Sequence, residues 1–158
     1  MITLDERLKA CAKYVSGKGT VCDVGTDHAY LPAYLILSEK CRNAVAGDIN
    51  DGPLEFAEQT LNKYKLSDKI KLVKSDGLKN ISPENVSDVI IAGMGGETIS
   101  DILAEAEWLR NGVNLILQPM TRAQGLRKWL YKNGYEIISE RAVSHDRFNY
   151  TVINASYC

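Results

Sequence analysis

The sequence predicts one α/β domain whose sheet is mostly parallel and ends in an antiparallel hairpin. Two observations lead to this prediction. From residue 4 to residue 134, short apolar runs alternate with stretches whose apolar residues recur at helical spacing. After residue 134 the pattern changes to two β-rich runs joined by a short polar turn. A chain of 158 residues suits a single domain, made of an N-terminal helix (1–18), a β/α core (19–134) and the hairpin (135–158).

The N-terminal segment is predicted to form an amphipathic helix over residues 4–16, with Thr3 and Glu6 as its capping box. A first strand follows over 20–24. Pro32 suits the first turn of the next helix, because proline has no N–H to donate and its φ is already helical. The chain therefore begins with a helix, a strand and a second helix.

Two further strands continue the alternation. A strand over 43–48 leads into a helix that Asp51 is expected to cap. A strand over 70–74 leads into a polar loop that extends through Pro83. The helix between them has an apolar stripe formed by Leu54, Ala57, Leu61 and Tyr64.

A fourth strand is predicted over 88–92, and the run Gly93–Gly96 is expected to open the helix that follows it. A fifth strand is predicted over 114–118. Pro119 is expected to end that strand, because proline cannot donate a hydrogen bond to a neighbouring strand.

The C-terminal part departs from this alternation. A capping box of Thr121 and Gln124 and a stop signal at Gly134 delimit the last helix. The runs 135–144 and 148–155 then predict an antiparallel hairpin. Five strands alternating with helices, followed by a hairpin, form the strand plan of the Rossmann-like class I methyltransferases, whose seven-stranded sheet is parallel except for one late strand.

Composition excludes several classes of protein. The chain is 45% apolar and 25% charged, with a net charge of −1, and no apolar run approaches the roughly 20 residues that a bilayer-spanning helix needs. The first residues lack the apolar segment of a secretory signal, so we expect a cytoplasmic protein. The cysteines show no C-x-x-C spacing and predict neither zinc nor disulfides. We expect a monomer with no metal and no membrane partner.

Residues at the carboxyl ends of the strands carry the predicted site, because ligands lie across that edge of such a sheet. Asp23, Gly25 and Thr26 follow the pattern of a nucleotide-binding loop, which would continue with another glycine. Asp27 stands there instead. Its carboxylate would repel a pyrophosphate, but it could pair with the ammonium group of S-adenosylmethionine or face its sulfonium. This residue therefore favours S-adenosylmethionine over NAD.

Two more acids follow the next two strands. Asp48 lies 23 residues after Gly25, near the spacing of about 20 at which an acid accepts hydrogen bonds from both ribose hydroxyls of an adenosine. Asp76 is placed to accept from the exocyclic amine of adenine, and Gly77 leaves room for the ring. The run Gly93–Gly96 either approaches the ligand closely or forms a tight turn without one. The cofactor-binding candidates are Asp23, Gly25, Thr26, Asp48, Ile49, Asp76, Gly77, Gly93, Met94 and Gly95.

Basic residues concentrate on the last predicted helix and in the segment after it. Such a cluster is either a surface that binds RNA phosphates or an ordinary solvated helix face. Two residues directly after the fifth strand lie at the same edge of the sheet as the acids. The substrate-binding candidates are Gln118, Pro119, Arg122, Arg127, Lys128 and Arg147.

Five short runs are specific when taken together. They are Gly25–Pro32 (GTDHAYLP), Ala46–Ile49 (AGDI), Asp51–Pro53 (DGP), Ile91–Gly96 (IAGMGG) and Leu115–Pro119 (LILQP). These runs resemble the bacterial tRNA adenine-N1 methyltransferases that modify adenosine 22, the TrmK family, and the likeness extends from the first helix to about residue 155. The resemblance implies S-adenosylmethionine as methyl donor, tRNA as acceptor and an essential carboxylate at Asp27.

One departure from that family concerns the C-terminus. Its members continue into a helical extension thought to help hold tRNA, whereas this sequence ends at Cys158. The prediction of methyl transfer is unaffected, but we expect weak autonomous affinity for tRNA.

The chemistry assigns roles to the loop after the first strand. Adenine N1 has an in-plane lone pair, so its methylation needs no prior deprotonation, and the enzyme must supply alignment and charge stabilisation. Asp27 is the candidate that accepts a hydrogen bond from the N6 amine as the base becomes cationic. His28 either performs acid/base work or is hydrogen-bonded within the loop. Tyr30 either closes over the methionine tail or stacks on the base, or it belongs to the core.

Two other functions stay open at this point. One is a methyltransferase for a small molecule or a protein, and the other is a non-catalytic cofactor-binding module. A tRNA enzyme needs an open cleft beside the basic residues, whereas an enzyme for a small molecule usually has a lid, and the sequence has few insertions that could form one.

Overall fold

A seven-stranded sheet forms the centre of the computed structural model, which describes residues 2–158. The strands are β1 (Thr20–Val24), β2 (Ala44–Asp48), β3 (Ile70–Lys74), β4 (Val86–Gly95), β5 (Asn114–Thr121), β6 (Tyr135–His145) and β7 (Phe148–Tyr157). The helices are α1 (Glu6–Lys13), α2 (Tyr30–Leu37), α3 (Asp51–Tyr64), α4 (Gly96–Ala104) and α5 (Ala123–Lys132), and a 3₁₀ helix covers Glu107–Arg110. Within residues 2–158, no helix combines the length and the apolar character needed to cross a bilayer.

The strand order is β3-β2-β1-β4-β5-β7-β6. Strands β1 to β5 are parallel to one another, and β7 is antiparallel to both β5 and β6. The mostly parallel sheet and the C-terminal antiparallel hairpin that the sequence predicts are confirmed. From β1 the chain continues to β2 and β3 on one side and later returns to β4 on the other. A crevice therefore opens at the carboxyl ends of β1 and β4, where ligands bind in sheets of this kind.

Apolar side chains fill both faces of the sheet. One face is covered by α1, α2 and α3, where Leu35, Ile90 and Ile116 are fully buried. The other face is covered by α4 and α5, around the buried side chains of Ile99 and Leu126. Successive residues of a strand point to opposite faces, so strands with helices on both sides need apolar residues throughout. The carboxyl edge of the sheet stays accessible between the two helix layers.

Two helices begin differently from the prediction. The cap of α1 is Asp5, whose carboxylate accepts from the backbone N–H of Leu8 at 3.0 Å. The predicted capping box beginning at Thr3 is therefore wrong, because Asp5 is the residue in extended conformation directly before the first helical turn. Asp51 is the first residue of α3 rather than its cap, and its carboxylate pairs with Lys74 at 3.1 Å.

The start of α5 also differs from the prediction. Its N-cap is Arg122, which has a left-handed backbone (φ 54°) and no side-chain capping hydrogen bond. The predicted capping box of Thr121 and Gln124 is wrong, because Thr121 still belongs to β5 and the Gln124 side chain accepts from Arg127 at 3.0 Å.

β4 and β5 extend further than the sequence predicts. Met94 pairs with Pro119 and Gly95 with Thr121, and register shifts on both sides of Met94 form a bulge. A bulge is one of the places where a sheet accepts proline, because a ladder hydrogen bond is already missing there. The prediction that Pro119 ends the fifth strand is therefore wrong, and α4 begins only at Gly96.

The hairpin turn consists of Asp146 and Arg147, whose φ values of 48° and 69° are both left-handed. This is the geometry of the type I′ turn that two-residue hairpins prefer. Because β7 is antiparallel to β5 and to β6, the turn lies at the same edge of the sheet as the carboxyl end of β5. There His145 approaches α1, with its Nε2 atom 3.9 Å from the carboxylate of Asp5.

Candidate functional site

Two neighbouring cavities open at the carboxyl ends of the parallel strands. The larger, of about 570 Å³, lies between the ends of β1 to β4 and helix α4. The smaller, of about 350 Å³, lies between α1 and the loop after β1. Gly25, Asp27, Ala92 and Gly93 line both cavities, so the two form one elongated site. In the described part of the chain, no group of three or more His, Cys, Asp or Glu residues could hold a metal ion.

The loop after β1 separates the two cavities. The backbone N–H groups of Gly25 and Thr26 both donate to the carbonyl of Gly47 at 2.9 Å, which fixes the loop to β2. Gly25 has φ 73°, a left-handed conformation that favours glycine, and a Cβ atom there would also displace the terminal methyl of Met94, which would lie 2.5 Å away. Asp27 has φ 56° although it is not glycine, and strained positions of this kind concentrate at ligand sites.

Asp23 lies at the base of the smaller cavity. It is only 5% exposed, and the Thr26 hydroxyl donates to its carboxylate at 2.9 Å. The pKa of Asp23 is raised to about 7, mainly by burial; the hydrogen bond from Thr26 opposes the rise, and the nearby Asp48 carboxylate adds to it. A cationic group that entered this cavity would restore the ionised form, because an opposite charge lowers the pKa of a carboxyl group.

Asp48 lies at the end of β2 and lines the larger cavity. One carboxylate oxygen accepts from the backbone N–H of Asn50 at 3.1 Å, and the other accepts weakly from that of Asp27 at 3.4 Å. A carboxylate can accept more hydrogen bonds than these two. Asp48 can therefore accept from the hydroxyls of a ligand in the larger cavity.

Asp76 and Gly77 line the far end of the larger cavity. Asp76 accepts from the ammonium of Lys79 at 3.0 Å, an ion pair that raises the pKa of Lys79. Gly77 has φ 60°, and a Cβ atom there would lie 3.0 Å from Ile102. A side chain at Gly77 would therefore meet Ile102 at this end of the cavity, and the binding of an adenine ring here stays a prediction.

Three other cofactor-binding candidates have different positions. Ile49, which is 53% exposed, and Met94 both line the larger cavity. Gly95 lines neither cavity, because it is the cap of α4 and pairs with Thr121 of β5. Gly95 serves the turn from β4 into α4, and its contact with the cofactor stays a prediction.

The three catalytic candidates, Asp27, His28 and Tyr30, all line the smaller cavity, and Asp27 also lines the larger one. The Asp27 side chain is 69% exposed, and its carboxylate lies 3.9 Å from Nε2 of His28. The His28 ring stacks on Tyr30, with 5.0 Å between centroids and planes 8° apart. Tyr30 is 45% exposed and does not belong to the core. A carboxylate and two aromatic rings therefore face the space where a substrate would meet a ligand in the cavities.

Gln118 and Pro119 are not placed to contact a substrate. Both are buried, and Gln118 is completely inaccessible. The Gln118 amide oxygen accepts from Arg7 at 2.6 Å and from the backbone N–H of Gly93 at 3.1 Å. The prediction that they bind substrate is wrong, because both side chains are buried in the sheet edge. Gln118 instead holds the Gly93 turn in place.

Arg7 is a site residue that the sequence analysis missed. Its side chain is 17% exposed, lines the smaller cavity and pairs with Asp5 at 3.0 Å as well as with Gln118. A basic residue in the first turn of an amphipathic helix has the signature of an ordinary surface residue. Only the packing of α1 over the carboxyl edge of the sheet brings it to the site.

The basic candidates differ in whether their charges are paired with carboxylates or exposed to solvent. Arg122 pairs with Glu97 at 2.8 Å. Arg127 makes a bidentate pair with Glu140, at 2.8 Å to one carboxylate oxygen and 3.1 Å to the other, which keeps the pKa of Glu140 below its usual value. Lys128 and Arg147 are exposed, and Arg147 lies in the hairpin turn at the edge where the cavities open. Arg127 thus serves mainly to connect α5 to β6.

The sheet order, together with acids at the ends of three successive strands, defines a Rossmann-like methyltransferase domain. The sequence matches a family model described as "Methyltransferase domain" over residues 4–153. It is 39% identical over 155 residues to the tRNA (adenine(22)-N(1))-methyltransferase of Bacillus subtilis (strain 168), an alignment that covers 98% of this chain and 65% of that protein.

Solved structures show the same similarity. The crystal structure of the B. subtilis M1A22 tRNA methyltransferase TrmK gives a TM-score of 0.95 at 38% identity, over 100% of this chain and 68% of that one. The structure of M. capricolum TrmK in complex with S-adenosyl-homocysteine gives 0.88 at 33% identity, over 97% and 68%. The chain belongs to the TrmK family of methyltransferase domains. It spans 65% of the length of its B. subtilis relative.

Proposed function

We propose that the protein transfers a methyl group from S-adenosylmethionine to N1 of adenosine 22 in tRNA. The observation that carries the proposal is the position of Asp27, whose exposed carboxylate lies where the two cavities meet. Membership of the TrmK family supports it, since the relatives similar over almost the whole chain are tRNA methyltransferases by name.

The cavities suit S-adenosylmethionine in size and chemistry. The larger one fits an adenosine, with Asp48 for the ribose hydroxyls and Asp76 beside Gly77 for the adenine. The smaller one fits the methionine tail, with the buried Asp23 carboxylate for its ammonium group and Thr26 to orient that carboxylate. Four carboxylates along the site, at Asp23, Asp27, Asp48 and Asp76, disfavour the pyrophosphate of a dinucleotide. When bound, S-adenosylmethionine supplies an electrophilic methyl group on a sulfonium.

Asp27 stabilises the charge that appears on the substrate. Attack by the N1 lone pair makes the adenine cationic, and a carboxylate that accepts a hydrogen bond from its N6 amine offsets that charge. The fixed loop keeps Asp27 in place before the reaction, so little reorganisation is needed. His28 and Tyr30 line the same space, where they position the base rather than move a proton.

The acceptor is an RNA in this proposal because the site is open. Within residues 2–158, no long loop covers the two cavities, and Arg147 and Lys128 are exposed cations that can contact phosphates. We further infer that the protein acts as a monomer in the cytoplasm, where its tRNA substrate is found.

Nucleoside mass spectrometry tests this function. The protein is incubated with S-adenosylmethionine and either of two unmodified tRNA transcripts that differ only by adenosine or guanosine at position 22. N1-methyladenosine should form in the first transcript and not in the second. Equal methylation of both transcripts would move the target to another nucleotide, and methylation of neither would refute the proposed reaction.

A further inference from the structure

A groove lined by aromatic side chains lies beside the smaller cavity, between the start of α2 and one face of α3. Its volume is about 400 Å³. We call it the aromatic groove and define it by His28, Tyr30, Phe56, Thr60, Lys63 and Tyr64. None of these residues belongs to the proposed cofactor cavity of about 570 Å³.

The rings of the aromatic groove are exposed although they are large and apolar. Tyr30 is 45% and Phe56 49% exposed. The His28 ring lies between them, stacked on Tyr30 and 4.8 Å from the centroid of Phe56. Single exposed apolar side chains are ordinary on protein surfaces, whereas exposed apolar side chains that cluster in one patch mark binding sites.

The aromatic groove is continuous with the candidate active site. His28 and Tyr30 line both the groove and the smaller cavity, and Asp27 precedes His28 in the chain. A flexible substrate whose target group reaches Asp27 therefore has its neighbouring groups within reach of the groove.

The charge and the aromatic rings of the groove favour a single-stranded nucleic acid as its occupant. Lys63 lies on the same face of α3 as Phe56 and Thr60, because it follows them by seven and three residues. Its ammonium is 5.4 Å from the centroid of the Tyr64 ring. No acidic side chain is among the residues that line the groove in the described chain. Aromatic rings beside a cation are how proteins bind single-stranded nucleic acid, the rings stacking on bases and the cation contacting phosphate.

The arginines of the predicted basic surface are less suited to this role. Arg122 and Arg127 are both paired with carboxylates, so an RNA phosphate would have to displace Glu97 and Glu140. The aromatic groove requires no such exchange.

We propose that the aromatic groove binds an unpaired nucleotide adjacent to the methylated adenosine. The base stacks on the exposed ring of Phe56, and Lys63 contacts a phosphate. This subsite rests on the proposed tRNA methylation, and it would direct the RNA over α3 on the opposite side of the site from α5.

Binding measurements with matched variants test the subsite. The probe is an unmodified, fluorescein-labelled tRNA transcript, followed by anisotropy at low salt in the presence of S-adenosylhomocysteine. Phe56→Ala is compared with Tyr131→Ala, which removes an 85% exposed ring near the far end of α5. Lys63→Gln is compared with Lys69→Gln, which lies before β3 at the opposite edge of the sheet.

Phe56→Ala should weaken tRNA binding about tenfold, the scale of one lost stacking contact. Lys63→Gln should weaken it less and reduce the dependence of log affinity on log salt by about one phosphate contact. Both control variants should bind as the wild type does, and the affinity for S-adenosylhomocysteine should stay the same in all four variants.

The outcomes separate the subsite from the proposed function. If the wild type methylates adenosine 22 and Phe56→Ala binds tRNA as Tyr131→Ala does, the subsite is refuted and the function stands. If no methylation occurs but Phe56→Ala still weakens RNA binding selectively, the function is refuted and the groove remains an RNA site. If the wild type binds no tRNA even at low salt, both are refuted.

Discussion

Arg7 donates to the buried amide oxygen of Gln118 at 2.6 Å, across 111 residues of sequence. Gln118 is therefore the point where α1 is fixed to the end of β5. Its oxygen also accepts from the Gly93 N–H, so the same side chain sets the wall shared by both cavities. Cofactor affinity should consequently depend on a residue that the cofactor does not touch.

Gln118→Ala should lower both stability and cofactor affinity. The change leaves the Gly93 N–H and one Arg7 donor without their partner in a buried place, which costs about 1–3 kcal/mol. We expect a corresponding loss in chemical denaturation and weaker binding of S-adenosylhomocysteine in calorimetry. The control is Gln124→Ala, which removes an exposed amide on α5. Equal stability of the two variants would contradict the role given to Gln118.

Asp23 should make the folded protein less stable as the pH rises. Its folded pKa of about 7 lies above the ordinary value of 3.8, so the folded state binds more protons than the unfolded state between these values. Stability is then lost as the pH rises from about 4 through 7. Asp23→Asn should flatten this slope and raise the melting temperature at pH 8, by about 2–4 °C for each kcal/mol gained. An unchanged slope in thermal melts would show that Asp23 is ionised at neutral pH in the free protein.

The affinity for the cofactor should depend on pH in the opposite direction from stability, through the same Asp23 carboxyl group. The ammonium of S-adenosylmethionine pairs with the ionised form of Asp23, so affinity should fall as the pH is lowered through 7 and binding near pH 6 should release a proton. Calorimetry in two buffers of different ionisation enthalpy measures that proton directly. Asp23→Asn should abolish the release. Proton uptake on binding by the wild type would contradict the assignment of the smaller cavity to the methionine tail.

Asp48→Ala should weaken S-adenosylmethionine binding by about 1–3 kcal/mol, the scale of charge-assisted hydrogen bonds to the two ribose hydroxyls. Asp51→Ala is the matched control, because its carboxylate lies nearby but pairs with Lys74 at the surface. NAD should not bind either protein or the wild type. If instead NAD bound to the wild type and this binding was lost in Asp48→Ala, the cofactor would have been misassigned.

The sequence was sufficient for most of the fold. Strands and helices follow from local apolar spacing, and the acids Asp23, Asp48 and Asp76 could be predicted as site residues because each lies next to the end of its own strand. The hairpin was predicted for the same reason, since the turn around Asp146 is a local signal. These features depend on neighbours in the chain.

The errors have a common physical cause. Pro119 and Gln118 were misplaced because a bulge in the neighbouring strand decides whether a proline fits, and a single sequence does not show which strands are neighbours. Arg7 and Phe56 were missed because each looks like an ordinary helix residue until α1 and α3 pack beside the loop after β1. Residues whose role depends on packing between distant segments could not be predicted from local patterns.

The central claim is that the negative charge of Asp27, where the two cavities meet, accelerates methyl transfer. Single-turnover methylation by Asp27 variants tests this claim most directly. The protein, saturated with S-adenosylmethionine, is mixed with limiting tRNA and the rate of N1-methyladenosine formation is measured for the wild type, Asp27→Asn and Asp27→Ala. Both variants should fold, bind cofactor within a few fold of the wild type, and react about 100-fold more slowly, the scale of one lost preorganised electrostatic contact. Asp27→Asn keeps an oxygen that can accept from the N6 amine but removes the charge, so a wild-type rate in that variant would contradict the account.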